Sequence, residues 1–222
     1  MSNTLNHPRV AQVLADLYTD AEENDPLIRK TLAGKNLREI SSAAHYEARA
    51  NLYMPINPDF GTLLYSLVRS SSAKSIVEFG TSLGISTIYL AAAVQDNGAG
   101  SVITTELVAE KAKTARTNLA QARLEHLVDF RIGDALTTLT DSLPEAVDIL
   151  FLDGEKSLYL DILKLLEPNL KSGSMVISDN TDKEGLEAFL GYLRAPQNGY
   201  LSTAIFTDDA GVKRSHELSI RI

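Results

Sequence analysis

The 222-residue chain has no cysteine. That excludes a disulfide scaffold, a thiolate zinc site, an iron–sulfur cluster and a cysteine nucleophile. It also has no basic surplus: 21 Lys+Arg stand against 29 Asp+Glu, a formal net charge of −8. This argues against a general nucleic-acid binder or a polybasic membrane-surface protein, while leaving a cationic ligand open. No apolar run approaches the ~18 residues of a membrane span. The opening residues, Met1 to Arg9, lack the apolar core of a signal peptide. A soluble cytoplasmic protein is therefore expected. There is no repeat and no low-complexity tract. What remains is ordinary globular composition, 44% hydrophobic and 23% charged, in a chain long enough for one well-buried domain.

The first seventy residues read as helices. Val10, Val13, Leu14, Leu17 and Tyr18 fall at helical spacing. The polar stretch Asp20–Asp25 and then Pro26 predict a break, after which Leu27, Ile28, Leu32, Leu37 and Ile40 resume the pattern. Tyr53 to Pro58 reads as a loop, because each of its two prolines pushes the preceding residue out of the α region. A helix restarts near Phe60. From Ser75 the pattern becomes short apolar runs alternating with helices. Strands are expected at Ser75–Phe79, Ser101–Thr105, Val128–Ile132, Val147–Leu152 and Ser174–Ser178. Helices are expected at Ile85–Val94, Ala109–Ala122, Ala135–Leu139, Leu158–Leu166 and Lys183–Leu193. Two final β runs, Tyr200–Phe206 and Glu217–Ile222, turn through Asp208–Gly211. The fold class that follows is α/β: a doubly wound, mostly parallel Rossmann-like sheet ending in an antiparallel hairpin. Residues 1–70 form a helical extension of that domain, with apolar positions to spare for a second subunit, and 71–222 form the sheet domain.

Strand one runs into Glu78-Phe79-Gly80-Thr81-Ser82-Leu83-Gly84. Glycines allow a sharp turn and close approach of a ligand to the backbone. The helix that follows offers free N–H groups. This Gly-x-x-x-Gly is neither the G-x-G-x-x-G dinucleotide fingerprint nor a P-loop. Strand two ends at Glu106, near the separation of ~20 residues at which an acid meets the ribose hydroxyls of a nucleotide. Strand three ends Gly133-Asp134-Ala135. Each feature also has an ordinary reading: a turn, a solvated strand end, and for Asp134 a helix cap. Their shared position at the carboxyl ends of neighbouring strands, where open α/β sheets bind ligands, favours a site.

A second constellation follows. Strand four ends Asp153-Gly154-Glu155-Lys156 and strand five ends Asp179-Asn180. In a doubly wound sheet, strand four lies beside strand one and strand five beside strand four. Asp153, Asp179 and Asn180 then converge as an all-oxygen set that suits Mg²⁺ or Ca²⁺. Taken singly, each could be a turn or cap residue. Lys156 at the start of a helix opposes the macrodipole, which hints at another use. A base role fits if a nearby cation favours its neutral amine.

Together, Glu78-x-Gly80-x-x-x-Gly84, Glu106 and Gly133-Asp134-Ala135 resemble the S-adenosylmethionine site of class I methyltransferases. The Asp153–Lys156 and Asp179-Asn180 pair resembles the cation-dependent O-methyltransferases of the catechol and caffeoyl-CoA family. Asp153-x-Glu155-Lys156 is closer to the plant and bacterial members than to the animal enzymes, and Met54-Pro55-Ile56 matches the family's methionine-containing loop over the cofactor. The similarity runs from about Tyr53 to the C-terminus. It implies an O-methyltransferase with S-adenosylmethionine held by Met54, Ile56, Glu78, Gly80, Gly84, Ser86, Glu106, Asp134, Ala135 and Asp153. It implies a divalent cation, Mg²⁺ first, on Asp153, Asp179 and Asn180, with Lys156 and Asp153 catalytic. It also implies a small catechol-like acceptor with adjacent hydroxyls, a homodimer, and no nucleic-acid or membrane partner. Thr181–Gly185 lacks the aromatic-bearing insertion that shapes the acceptor pocket of the caffeoyl-CoA enzymes, and Asp208–His216 also departs from them. A nicotinamide oxidoreductase and a non-catalytic S-adenosylmethionine-binding protein are the competing readings. His45-Tyr46 could line an acceptor pocket but more often such a pair is a helix face. His7, His126 and His216 have no partners at metal spacing and are read as structural.

Overall fold

The computed structural model describes residues 3–33, 48–209 and 211–222. Five parallel strands follow one another with helical crossovers: β1 (Ser75–Phe79), β2 (Ser101–Glu106), β3 (Val128–Ile132), β4 (Val147–Leu152) and β5 (Leu170–Ser178). The hairpin β6 (Tyr200–Asp209) and β7 (Val212–Arg221) closes the chain. The sheet order is β3-β2-β1-β4-β5-β7-β6, with β7 antiparallel to both neighbours. The expected α/β class, the neighbour relations of strands one, four and five, and the terminal hairpin are all observed.

Alternate residues of the central strands feed two separate cores, as a period of two requires. Ile76, Ile149, Phe151 and Ile177 pack on one face, beneath α1 (Pro8–Ala33), α2 (Pro58–Ser71) and α3 (Ile85–Asn97). Val77, Phe79, Leu150, Leu152 and Val176 pack on the other, against α6 (Tyr159–Leu166) and α7 (Glu187–Arg194). Two shorter-range crossovers, α4 (Ala109–Gln121) and α5 (Ala135–Thr138), complete the order. Val10, Val13, Leu14 and Leu17 of α1 belong to the same core as the sheet. α3 is buried at every position from Ile85 to Val94. A helix apolar all round belongs inside a structure, and here α2 covers it.

Several boundaries differ from the sequence expectation; β5, for one, begins at Leu170 and not at Ser174. The break at Asp20–Pro26 is absent, and α1 runs straight through Pro26. The polar stretch instead supplies the helix with local and tertiary partners. Asn24 Nδ2 donates to Asp20 Oδ1 at 2.7 Å, and the buried Asp25 reaches across to another segment. α7 starts at Glu187, not Lys183. Gly185 sits at φ +88°, a left-handed conformation that interrupts a right-handed helix. The hairpin strands are longer than read, because pairing continues to Asp209↔Val212. Polar side chains sustain it: Lys213 Nζ lies 4.2 Å from the Phe206 ring centroid, and Arg214 reaches Asp209 and Asp182.

The hairpin is fastened to α7 by a buried carboxylate. Glu217 has no exposed surface and accepts from Arg194 Nε (2.8 Å), Arg194 Nη2 (2.6 Å) and Ser202 Oγ (2.6 Å). Burial alone would raise its pKa, but these bonds hold it below the usual value. A depressed folded-state pKa contributes stability that is present above the unfolded value, near 4.5, and lost as pH falls below it. Melting temperature measured from pH 6 down to pH 3 should therefore fall more steeply in the wild type than in Glu217→Gln. Parallel curves would show that Glu217 carries no such linkage.

Candidate functional site

The parallel register sets the carboxyl ends of the central strands level. Phe79 pairs with Thr105 and with Leu152, and Leu152 pairs with Ser178. The next residue of each strand therefore emerges at one edge. The backbone confirms it, since Asp153 N donates to Phe79 O and Asp179 N to Leu152 O, both at 2.9 Å. Gly80, Glu106, Asp153, Asp179 and Asn180 are brought together there.

Gly80 has φ +105°, and a Cβ on it would sit 2.7 Å from the Asp153 carbonyl oxygen. Glycine at this position lets the loop lie against the Asp153–Gly154 backbone, so the two constellations touch. Gly84 starts α3 from a left-handed conformation. Glu106 is the last residue of β2, and it ties down the loop: Oε2 accepts from Ser82 N and Oε1 from Val108 N, each at 2.9 Å. Burial raises its pKa, opposed by those N–H groups and by Lys111.

Glu78 stands differently from the other acids. It is wholly buried beneath the loop and accepts from Ser86 Oγ (2.5 Å), Thr87 Oγ1 (2.6 Å) and Thr104 Oγ1 (2.6 Å). Its pKa is raised by burial, with the three hydroxyls opposing. The hydroxyl ring joins β1, β2 and the first turn of α3, which fixes the loop above it. Asp134 is exposed and caps α5, accepting from Leu136 N at 3.0 Å, while Ala135 is buried. The capping role considered for Asp134 is thus present at the site edge.

Met54 and Ile56 line the same cleft as Gly80, Ser82, Ser86 and Asp153. Met54 is exposed and left-handed at φ +47°, a conformation uncommon outside glycine. Its segment is pegged from several sides. Asp25 accepts from Tyr53 N (2.8 Å) and Met54 N (2.9 Å), and Ser82 Oγ donates to Tyr53 O at 2.8 Å. Lys111 Nζ donates to Leu52 O (2.8 Å) and Ser82 Oγ (3.0 Å), and Tyr18 OH to Ile56 O at 3.0 Å. Lys111 is buried, which lowers its pKa against the pull of Glu106 and Asp25.

At the ends of β4 and β5 two nearly enclosed carboxylates meet, their side chains 18% and 4% exposed. Burial and the neighbouring Asp179 push Asp153 well up, towards holding a proton. Asp179 goes the other way: burial would raise it, but His216, Lys156 and Asp153 draw it down. Asn180, at φ +52°, touches the Asp179 carboxylate through its side-chain amide. Two facing carboxylates with an amide beside them form a hard donor set whose mutual repulsion a divalent cation would relieve. The residues fit such a cation. Among the described residues there is no cluster of three or more His, Cys, Asp or Glu arranged as a metal site, and the remaining oxygen donor beside the two carboxylates is the Asn180 amide.

Lys156 Nζ lies 3.5 Å from Asp153 Oδ1 and donates to Tyr159 OH, which donates in turn to Leu152 O at 2.7 Å. Lys156 opens a single 3₁₀ turn just ahead of α6.

Four neighbours of the site were not found as such in the sequence. In the sequence Asp25 falls within the expected helix break, and Lys111 falls within the expected helix Ala109–Ala122. Tyr159, three residues after Lys156, offered only helical spacing as a signal. His216 was set aside as structural, yet its Nδ1 lies 2.9 Å from Asp179 Oδ1. The signal available was alternation, since His216 and Leu218 sit two apart on a strand that pairs with β5. His45-Tyr46 lies outside the described residues.

A family profile described as a methyltransferase domain matches residues 77–181, from the middle of β1 to just past Asn180. A catechol O-methyltransferase of Niastella koreensis is 31% identical over 133 residues, 59% of this chain and 59% of that protein. A caffeoyl-CoA O-methyltransferase of Medicago sativa is 27% identical over 170 residues, covering 74% of this chain and 66% of that one. The matches thus span between 59% and 66% of the length of these two curated relatives. The crystal structure of an O-methyltransferase from Bacillus cereus in complex with SAH superimposes with a TM-score of 0.71 at 25% identity, over 93% of this chain and all of that one. These likenesses fall on the glycine loop, the strand-end acids and the sheet order: residues 77–181 match a methyltransferase domain, and the chain is similar to O-methyltransferases of the catechol and caffeoyl-CoA kind.

Proposed function

We propose that the protein transfers a methyl group from S-adenosylmethionine to a hydroxyl of a small phenolic acceptor with adjacent hydroxyls, with a divalent cation, Mg²⁺ first, in its site. The observation that carries this reading is the contact between the two constellations: Gly80 of the cofactor loop rests on the backbone of Asp153, the first residue of the candidate cation set.

Bound S-adenosylmethionine supplies an electrophilic methyl on a sulfonium sulfur. A bound divalent cation supplies Lewis acidity, which favours the oxyanion of a phenol and orients neighbouring oxygens. The remaining work falls to the chain. Glu106 would accept the ribose hydroxyls, and Asp134 and Ala135 close the adjacent loop. Glu78 acts from below, through Ser86 and Thr87, to hold the loop in shape. Met54 and Ile56 cover the cleft, restrained by Asp25, Ser82 and Lys111. Asp153, Asp179 and Asn180 would hold the cation. Lys156, aimed by Asp153 and Tyr159, takes up or holds the proton of the acceptor hydroxyl. Fixed alignment of donor and acceptor is the protein's largest contribution to rate. The family resemblance further supports a homodimer. No helix among the described residues is long and apolar enough to cross a membrane.

Three measurements test this reading. Glu106→Ala should weaken S-adenosylmethionine binding by about 10–100-fold in calorimetry, through loss of charged hydrogen bonds. Unchanged affinity in a folded variant would remove Glu106 from the site. Lys156→Ala should lower turnover by about 10²–10⁴-fold with cofactor affinity little changed. A wild-type rate under methyl-transfer-limited conditions would end the proton-transfer role. EDTA should abolish transfer to a catechol probe and Mg²⁺ restore it, except in Asp179→Ala, while cofactor binding survives EDTA. Full transfer by protein shown to be metal-free by elemental analysis would leave a metal-independent methyltransferase.

A further inference from the structure

We infer that His216 is the positioning residue of the Asp179 carboxylate, an inference that rests on the cation reading above. β7 runs antiparallel to β5 with Ser178 opposite Glu217, which brings the neighbouring His216 beside Asp179. His216 Nδ1 stands 2.9 Å from Asp179 Oδ1, and both side chains are 4% exposed. The other ring nitrogen, Nε2, is 2.8 Å from Thr207 Oγ1 on β6. One ring face stacks on Phe60, with centroids 3.8 Å apart and planes 15° from parallel.

These contacts leave the ring no second orientation. Stacking fixes its plane, and partners at both nitrogens fix its rotation within that plane. A carboxylate at 2.9 Å requires a proton on Nδ1, so Nδ1–H donates to Asp179, and Thr207 can donate to Nε2. The backbone N–H of Asn180 also approaches Nδ1, but at 3.5 Å it is too long to compete. Neither nitrogen is open to a cation without giving up its partner. His216 therefore acts through Asp179 and is not itself a ligand. With Oδ1 held from one side, the carboxylate cannot rotate, and Oδ2 stays on the side of Asn180. Partners of this kind, which orient a ligand without touching the metal, are typically worth 10–100-fold in metal affinity.

The sequence around it supports a dedicated role. A buried histidine on a strand next to the sheet edge could pack its ring on Phe60 equally well as a phenylalanine or leucine. The two polar partners, one on β6 and one just past the end of β5, are what require an imidazole. The inference also ties the hairpin, which has no part in the cofactor loop, to the chemistry at the end of β5.

The test is Mn²⁺ binding to the full chain, read by electron paramagnetic resonance of the free ion, with S-adenosylhomocysteine affinity measured alongside. The wild type should bind Mn²⁺. His216→Leu should bind it about 10–100-fold more weakly with S-adenosylhomocysteine affinity unchanged. His216→Asn, which keeps an N–H near the place of Nδ1, should recover most of the loss. A merely structural histidine would lower the stability of both variants and leave Mn²⁺ affinity alone. Wild-type Mn²⁺ affinity in folded His216→Leu overturns the inference and spares the cation reading. A wild type that binds no Mn²⁺ overturns both. The proton is also accessible without any variant: long-range ¹H–¹⁵N spectra of the wild type should show Nδ1 protonated, with and without Mg²⁺, and an unprotonated Nδ1 overturns the inference whether or not the variants fold.

Discussion

Two backbone hydrogen bonds organise the active edge of this protein. Asp153 N–H reaches the carbonyl of Phe79, and Asp179 N–H that of Leu152. Each extends the parallel ladder one residue beyond its strand. They are cheap interactions, yet they decide where the acids stand. Adjacent strands are ~4.8 Å apart, so consecutive strand ends held in register deliver side chains to a common point. The glycine loop depends on the same register, because Gly80 can lie on the Asp153 backbone only if β1 and β4 end together.

That arrangement concentrates negative charge where water is scarce. Glu78, Glu106, Asp153 and Asp179 all lie at one end of the sheet, and the structure meets each in a different way. Glu78 is answered by neutral hydroxyls, which satisfy its oxygens without adding charge. Glu106 is answered by backbone N–H groups and the nearby Lys111. Asp179 has His216, and Asp153 has Lys156. Burial still pushes Glu78, Glu106 and Asp153 up in spite of these partners, and of the four only Asp179 is drawn down. The partners come from elements well separated along the chain, from α3 to β7, so local disturbance of the hairpin or of α4 reaches the site through its charges.

The parallel sheet and the strand-end acids were readable in the sequence because both are local patterns. A strand buried on both faces is a continuous apolar run, and Ile149–Leu152 ends abruptly at Asp153. Order followed from the general rule for doubly wound sheets, and this placed Asp153 beside Asp179. The residues missed are those whose meaning is tertiary. Pro26 and the polar residues before it carry a local message of helix ending, which the contacts of α1 override. Asp25 looks like a surface acid until the segment at Tyr53 and Met54 is folded against it. His216 sits 36 residues from Asn180, separated by α7 and a strand, and no spacing rule connects it to Asp179. The long hairpin was underestimated for a related reason: its outer half is polar, so it reads as a turn although the ladder continues.

The hairpin's place in the sheet gives this division a physical sense. The parallel strands carry the cofactor loop and the candidate cation ligands, whose positions are set by register and tolerate little variation. β7 is antiparallel, and its contribution arrives from the opposite direction, with the chain entering the site at His216 and leaving along Glu217. Glu217 anchors that strand to α7 through Arg194, one residue away from the imidazole that meets Asp179. The ion pair and the imidazole therefore form one mechanical unit: fastening the hairpin sets the ring, and the ring sets the carboxylate. The segment after Asn180 is bound to the same strand by Thr181 N–H on Ser215 O at 2.7 Å. That bond and the Arg194–Glu217 ion pair hold β7 on both sides of His216, so the imidazole has little freedom to move off Asp179.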